Sequence, residues 1–174
     1  MASNHTTTSK AEIVHNLWIG PIFALRELPK GPSWTVISLL SNEKLLYMAR
    51  SFLNGTPHHH IVWNISDNSN STLLSDNLIR ALKEIDKAII VESRPCLVHC
   101  AHGQSRSAAV IAAWLLSSRT CTTLQHAMDC IRMARPQVQP NLGFVAALKK
   151  LERHQGNVPS AMSDGRPSMC RGAM

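Results

Sequence analysis

Short apolar runs bounded by turn residues alternate along the chain with segments whose apolar positions recur every three or four residues. Ile13-Val14 and Leu17-Trp18-Ile19 read as short strands broken near His15-Asn16, and Trp34 to Leu40 reads as a core strand. Ser41 is expected to cap a helix that runs through Leu53 and stops at Asn54-Gly55. Ile61 to Ile65 reads as the next strand, followed by a polar loop from Ser66 to Thr72. Leu74, Leu78, Leu82, Ile85 and Ile89 then mark one helix through Val91. Pro95-Cys96-Leu97-Val98 is a further buried strand, and the nearly unbroken apolar run from Ser107 to Leu116 a buried helix. Only helical patterns follow: one opened by the capping box Thr122-x-x-Gln125 and stopped before Pro136, and one from about Pro140 to His154. Strands alternating with helices, then helices alone, predict an α/β domain with a central, mostly parallel, twisted sheet of four to five strands flanked by helices.

Periodicity fades at both ends, where residues 1–10 are rich in Ser, Thr and Asn and residues 156–174 in Gly, Pro, Ser and Met. Both are expected to be flexible, which leaves 11–155 as one domain. With 174 residues, 44% of them hydrophobic, the chain has enough material for a core without disulfides or metal. The longest apolar stretch, Ala108 to Leu116, falls far short of the ~20 residues that span a bilayer. The N-terminus lacks a signal-peptide core and the glycine that myristoylation needs, and Cys170 stands fifth from the end where prenylation needs the fourth, so no membrane insertion is expected. Five cysteines without framework spacing fit a reducing compartment, with a cytoplasmic or also nuclear location. The net charge of +7 suits an anionic substrate, although the basic residues are scattered rather than clustered.

The candidate chemistry lies in Val98-His99-Cys100-Ala101-His102-Gly103-Gln104-Ser105-Arg106-Ser107, which joins the last expected strand to the buried helix. A loop that ends at a helix N-terminus turns backbone N–H groups onto one point, with the positive end of the helix dipole behind them. Ala101, His102, Gly103, Gln104 and Ser105 would cradle a phosphate there, and the same field would push Cys100 toward thiolate. Arg106 supplies a planar fork for two phosphate oxygens. No other cysteine has arginine six residues on, and neither a Walker pattern nor Gly-x-Gly-x-x-Gly occurs. These residues suffice to suggest a cysteine-dependent phosphatase.

His99 to Ser107 resembles the His-Cys-x5-Arg-Ser signature of the dual-specificity branch of the protein tyrosine phosphatase superfamily. Two further stretches extend the likeness over most of the domain. His15-Asn16-Leu17-Trp18-Ile19-Gly20, followed by Ala24-Leu25-Arg26, looks like the family's opening strand. Arg135-Pro136-Gln137-Val138-Gln139-Pro140-Asn141-Leu142-Gly143-Phe144 is similar to its Pro-x-x-x-Pro-Asn-x-Gly-Phe element. The resemblance implies a protein tyrosine phosphatase-like fold and a general acid on a loop about thirty residues before the nucleophile. Asp67, 33 residues before Cys100 on the polar loop, is the candidate; taken alone it reads equally as an Asx-turn residue. Asp76 and Asp86 belong to the helix beyond. By the same resemblance Cys100 attacks phosphorus, Arg106 and the loop N–H groups bind the equatorial oxygens, and Asp67 protonates the leaving group. Ser107 then steadies the departing sulfur, and His99 and Asn141 hold the loop. No metal or other cofactor is implied.

His102 departs from many dual-specificity enzymes, and Cys-x-His-Gly resembles the cradle of RNA 5′-triphosphatases. Ser107-Ala108, where those enzymes usually carry Thr-Gly, favours the protein-phosphatase side. The chain has one tyrosine, Tyr47, and no aromatic-basic recognition loop, which points to phosphotyrosine together with phosphoserine or phosphothreonine in proteins. The alternative is a non-protein substrate such as an RNA 5′ end or a phosphorylated lipid or sugar; otherwise no nucleic-acid partner is expected, and the oligomeric state is left open. His58-His59-His60 reads as the start of a strand. Cys121, His126 and Cys130 read as core and surface positions of one helical region rather than as metal ligands.

Overall fold

The computed structural model describes residues 9–68 and 76–156. Its sheet has five strands: β1 Ala11–Val14, β2 Leu17–Pro21, β3 Thr35–Leu39, β4 His59–Trp63 and β5 Cys96–Cys100. They lie side by side in the order β1-β2-β5-β3-β4, antiparallel only between β1 and β2. Asn16, at φ 65°, makes the tight turn that folds β2 back along β1. Asn tolerates that left-handed conformation better than most residues. A 3-10 helix, Ile22–Glu27, follows β2. The helices are α1 Glu43–Leu53, α2 Asp76–Asp86, α3 Arg106–Ser117, α4 Leu124–Ala134 and α5 Leu142–Gly156.

The side-chain period of two in each strand divides the core between the two sheet faces. Leu17 and Ile19 of β2, Ile37 and Leu39 of β3, and Cys96, Val98 and Cys100 of β5 pack with α2 to α5. Val36 and Leu97 face the other way, against the 3-10 helix and α1, where Trp18 and Trp34 also meet with ring centroids 5.6 Å apart. Helix α3 is buried from Arg106 through Leu116, which explains why its sequence is apolar almost all round. Trimming one of its large side chains, such as Ile111 to Ala, would cost about 2–5 kcal/mol. β5 is the central strand, parallel to both neighbours, so its carboxyl end opens where ligands bind in sheets of this kind.

Several boundaries differ from the sequence pattern for identifiable reasons. β4 starts at His59 and stops at Trp63 because its register is that of β3, Thr35 opposite His59 and Leu39 opposite Trp63. Asn64 and Ile65 therefore lie past the ladder. Helix α1 is capped by Asn42 rather than Ser41: Asn42 is extended, and its Oδ1 accepts the Leu45 N–H at 3.2 Å. Helix α4 is capped by Thr123 rather than Thr122, with its Oγ1 accepting the His126 N–H, while Gln125 reaches forward to Asp129 at 2.8 Å instead of closing a box. Helix α5 begins at Leu142, beyond Pro140, where Asn141 Oδ1 accepts the Phe144 N–H at 2.9 Å. The helix expected through Val91 gives way after Asp86 to a wider π turn, Lys87–Val91. Leu74 and the part of the polar loop from 69 to 72 lie outside the described residues. Ser9 and Lys10, within the segment expected to be loose, are tied to Glu27.

Candidate active site

The loop from Cys100 to Arg106 is shaped by what surrounds it. Gly103 has φ +67°, and a Cβ there would stand 2.5 Å from the carbonyl carbon of Gly20, so only glycine lets the loop pass the end of β2 at this distance. The Ile22 N–H donates to the Ala101 carbonyl at 3.3 Å, and the Gln139 N–H to the Gln104 carbonyl at 2.9 Å. Arg135, buried at the end of α4, donates from Nε to the Gly103 carbonyl at 2.8 Å, from Nη2 to that of His102 at 3.1 Å and from Nη1 to that of Ser9 at 2.7 Å. With its carbonyls engaged from outside, the loop has its N–H groups left to face inward.

Those groups converge on sulfur. The Gly103 N–H points at Cys100 Sγ from 3.3 Å, and the Ser107 hydroxyl lies 3.4 Å away. Burial alone would raise the thiol's pKa, but the Ser107 hydroxyl and N–H, the Arg106 charge and the Gln104 N–H outweigh it and hold Cys100 below its ordinary value. Cys96, four residues earlier on the same strand, shows the opposite: burial, with Glu84 adding to it, pushes that thiol far up. The two cysteines share a strand and differ in what faces them.

Arg106 is 7% exposed and sits between the cradle and the loop after β4. Its Nη1 donates to the Ile65 carbonyl at 3.3 Å, and its Nε stands 3.4 Å from Asp67 Oδ2. The other oxygen of Asp67 accepts from Ser105 Oγ at 2.6 Å and from Asn141 Nδ2 at 2.8 Å. Ser105 is the residue that would cap α3, yet it makes no side-chain cap; its hydroxyl goes to Asp67 and accepts the Asn141 N–H at 3.2 Å. The first turn of α3 therefore keeps N–H groups without a side-chain cap, as an anion site at a helix terminus requires.

Behind the loop, His99 and His60 meet through Ser38. His99 Nε2 is 2.5 Å from Ser38 Oγ, which is 2.8 Å from His60 Nε2, and His99 Nδ1 is 3.3 Å from the Cys100 carbonyl. A carbonyl only accepts, which puts the His99 proton on Nδ1, has Ser38 donate to His99 Nε2, and has His60 donate to Ser38. Burial foremost, with the His60 and Arg106 charges, lowers the His99 pKa to about 4.

The structure thus gathers Cys100, Arg106, Ser107, Asp67, Ser105, His99 and Asn141 around one loop. The His102 side chain is exposed at its rim. Asp86 is elsewhere, accepting from Trp114 Nε1 at 2.9 Å. Arg135 and Ser38 carry contacts that the sequence reading did not assign. Arg135 lies beside a recognised motif, but Ser38 stands 61 residues from His99 and carries no local signal.

Residues 36–154 match the family model for the dual specificity phosphatase catalytic domain. The chain is 43% identical to mouse dual specificity phosphatase 28 over 67 residues, 38% of this chain and 40% of that protein. It is 36% identical to mouse dual specificity protein phosphatase 22 over 84 residues, 47% and 45% of the two. The chain thus spans less than half the length of each of these relatives. Among solved structures, a mouse dual specificity phosphatase complexed with zinc tungstate superposes with a TM-score of 0.71 at 26% identity, covering 88% of this chain and 92% of that one. The human tyrosine phosphatase-like serine/threonine/tyrosine-interacting protein gives the same TM-score at 23% identity over 84% and 97%, a likeness of fold.

Proposed function

We propose, from the premise that the chain belongs to the dual specificity phosphatase catalytic-domain family, that it hydrolyses phosphotyrosine and phosphoserine or phosphothreonine in proteins through a cysteinyl-phosphate intermediate. The observation that carries this reading is the sulfur of Cys100 at the focus of the Gly103 N–H and the Ser107 hydroxyl, with the Arg106 guanidinium beside it. Tungstate, in the mouse relative, is a tetrahedral oxyanion of phosphate's shape.

Cys100 attacks phosphorus in line, so that a P–S bond forms as the P–O bond to the leaving group breaks. Arg106 and the N–H groups of Ala101 through Ser105 bind the equatorial oxygens, where charge spreads in the transition state. Those oxygens take over the Arg106 Nε that Asp67 faces in the structure, and Asp67 gives its proton to the leaving oxygen. In the second half Asp67 accepts a proton from the attacking water, the P–S bond breaks, and the Ser107 hydroxyl donates to the departing thiolate. His99 and Asn141 act as positioning residues, the first on the Cys100 carbonyl and the second on Ser105 and Asp67. A compartment that keeps the thiol reduced, such as the cytoplasm, suits this chemistry.

His102 at the rim is the feature that an RNA 5′ end would use. Initial rates of phosphate release from peptides carrying phosphotyrosine, phosphothreonine or phosphoserine, set beside release from 5′-triphosphorylated RNA, decide between the two. The phosphotyrosine peptide and at least one of the phosphoserine and phosphothreonine peptides should turn over, each faster than the RNA. Faster release from RNA, and its loss in His102→Ala, would move the substrate class.

A further inference from the structure

At the far end of α3 from the cradle, two thiols and an imidazole converge that the sequence pattern places only loosely together. We propose that Cys121, His126 and Cys130 form a binding site for a borderline-soft divalent cation of the Zn²⁺ type, which pins the turn after α3 to the first turns of α4. One ligand atom from each residue lies within 4.8 Å of the other two, and the two sulfurs are 3.9 Å apart. Two sulfurs bonded to one zinc at about 2.3 Å stand about 3.8 Å apart at the tetrahedral angle, whereas a disulfide would need about 2.0 Å. The sulfur separation is already that of a chelate.

Each ligand is held by backbone that the ion need not rearrange. The turn from 118 to 121 wraps the end of α3: Arg119 takes φ 58°, and the Cys121 N–H donates to the Leu115 carbonyl at 2.9 Å. That fixes Cys121 in the core at 1% exposure. His126 and Cys130 are one turn apart on α4 and share a face, with the His126 N–H anchored on the Thr123 cap. His126 is exposed, which gives the ion an approach from solvent and leaves a fourth position for water. On binding, each thiol loses one proton to solvent and the imidazole donates a lone pair; no oxidant takes part. The twelve residues of α3 put about 18 Å between this cluster and the cradle, so the ion takes no part in phosphoryl transfer.

The test is a titration of the reduced full-length chain, carrying Cys100→Ser and Cys170→Ser so that buried Cys96 is the one cysteine left outside the cluster, with Co²⁺ and then Zn²⁺. One equivalent of Co²⁺ should bring up thiolate-to-metal charge transfer and the intense visible bands of a tetrahedral ion, and one equivalent of Zn²⁺ should bleach both. Cys130→Ser should abolish the signal. His126→Ala, a change at the surface, should weaken binding by more than about tenfold, since even outer-shell partners of metal ligands are worth 10–100-fold. Zn²⁺ should also raise the thermal unfolding midpoint of the parent and not that of Cys130→Ser. Absence of the cobalt spectrum, or a spectrum unchanged by both substitutions, would overturn the site. Because the readouts are spectroscopic and thermal, they stand whether or not the phosphatase reading holds.

Discussion

Four contacts from three residues, Ser107, Arg106 and Gln104, hold the Cys100 thiol below its ordinary pKa against burial. Cys100 and Cys96 share a buried strand, yet only Cys100 meets the Ser107 hydroxyl, the Arg106 charge and loop N–H groups. Asp67 rests on equally specific contacts: Ser105 and Asn141 bind one oxygen and Arg106 approaches the other, which aims the carboxyl at the mouth of the cradle. With Asp67 as the proton donor, Asp67→Asn should lower kcat by roughly 10²–10⁴ on phosphate esters with poor leaving groups, and far less on activated aryl esters. Steady-state rates across leaving groups of graded pKa check this. Equal losses on all esters would instead mean that Asp67 only orders Ser105 and Asn141. The Cys100 to Arg106 part of the site was legible in the sequence because one turn between strand and helix brings both ends together. Asp67 was legible only by family likeness, since its partners Ser105 and Asn141 are 38 and 74 residues away.

At the level of elements, the cradle is a loop wedged between β2, α3 and the end of α4. Gly103 touches the backbone of Gly20 and Pro21, and Arg135 holds the carbonyls on either side of the bond between His102 and Gly103. Gly103→Ala must displace backbone and adopt a positive φ with a side chain, so kcat/KM should fall by about 100-fold or more while KM for the phosphoryl group rises. Kinetics alongside a crystal structure of the variant check this; a cradle unmoved and fully active would show that the close approach to β2 is incidental. The five strands and five α-helices were readable from periodicity, but their ends, the 3-10 helix Ile22–Glu27 and the π turn Lys87–Val91 were not. Ser41 and Thr122 each stand beside a second residue able to cap, and which one caps depends on the backbone angle the chain takes on entering the helix. The bounds of β4 follow from pairing with β3, a contact that no local pattern encodes.

For the whole molecule, the buried His99 couples folding to pH. It is neutral in the fold, with its pKa lowered from 6.5 to about 4, so between those values the unfolded chain binds the extra proton. Its effect is absent above about pH 6.5, grows as the pH falls and is complete below about 4, at an order of 3 kcal/mol for a shift of this size. His60, lowered as well by burial, Arg50 and His59, acts in the same direction. Urea-unfolding midpoints measured from pH 7.5 to 4.5 should therefore decline more steeply in the parent than in His99→Gln. Parallel declines would place the acid sensitivity in other groups. Among the described residues no helix is long and apolar enough to cross a membrane.

The central claim is that phosphate passes through the sulfur of Cys100. Mixing the enzyme with a phosphotyrosine peptide, quenching in denaturant within the first turnovers and mapping the protein by mass spectrometry tests it directly. One phosphoryl group on the peptide that contains Cys100, absent in Cys100→Ser together with phosphate release, is the expected result. Phosphate release that continues in Cys100→Ser, or a phosphoryl group carried by any other residue, would contradict the account.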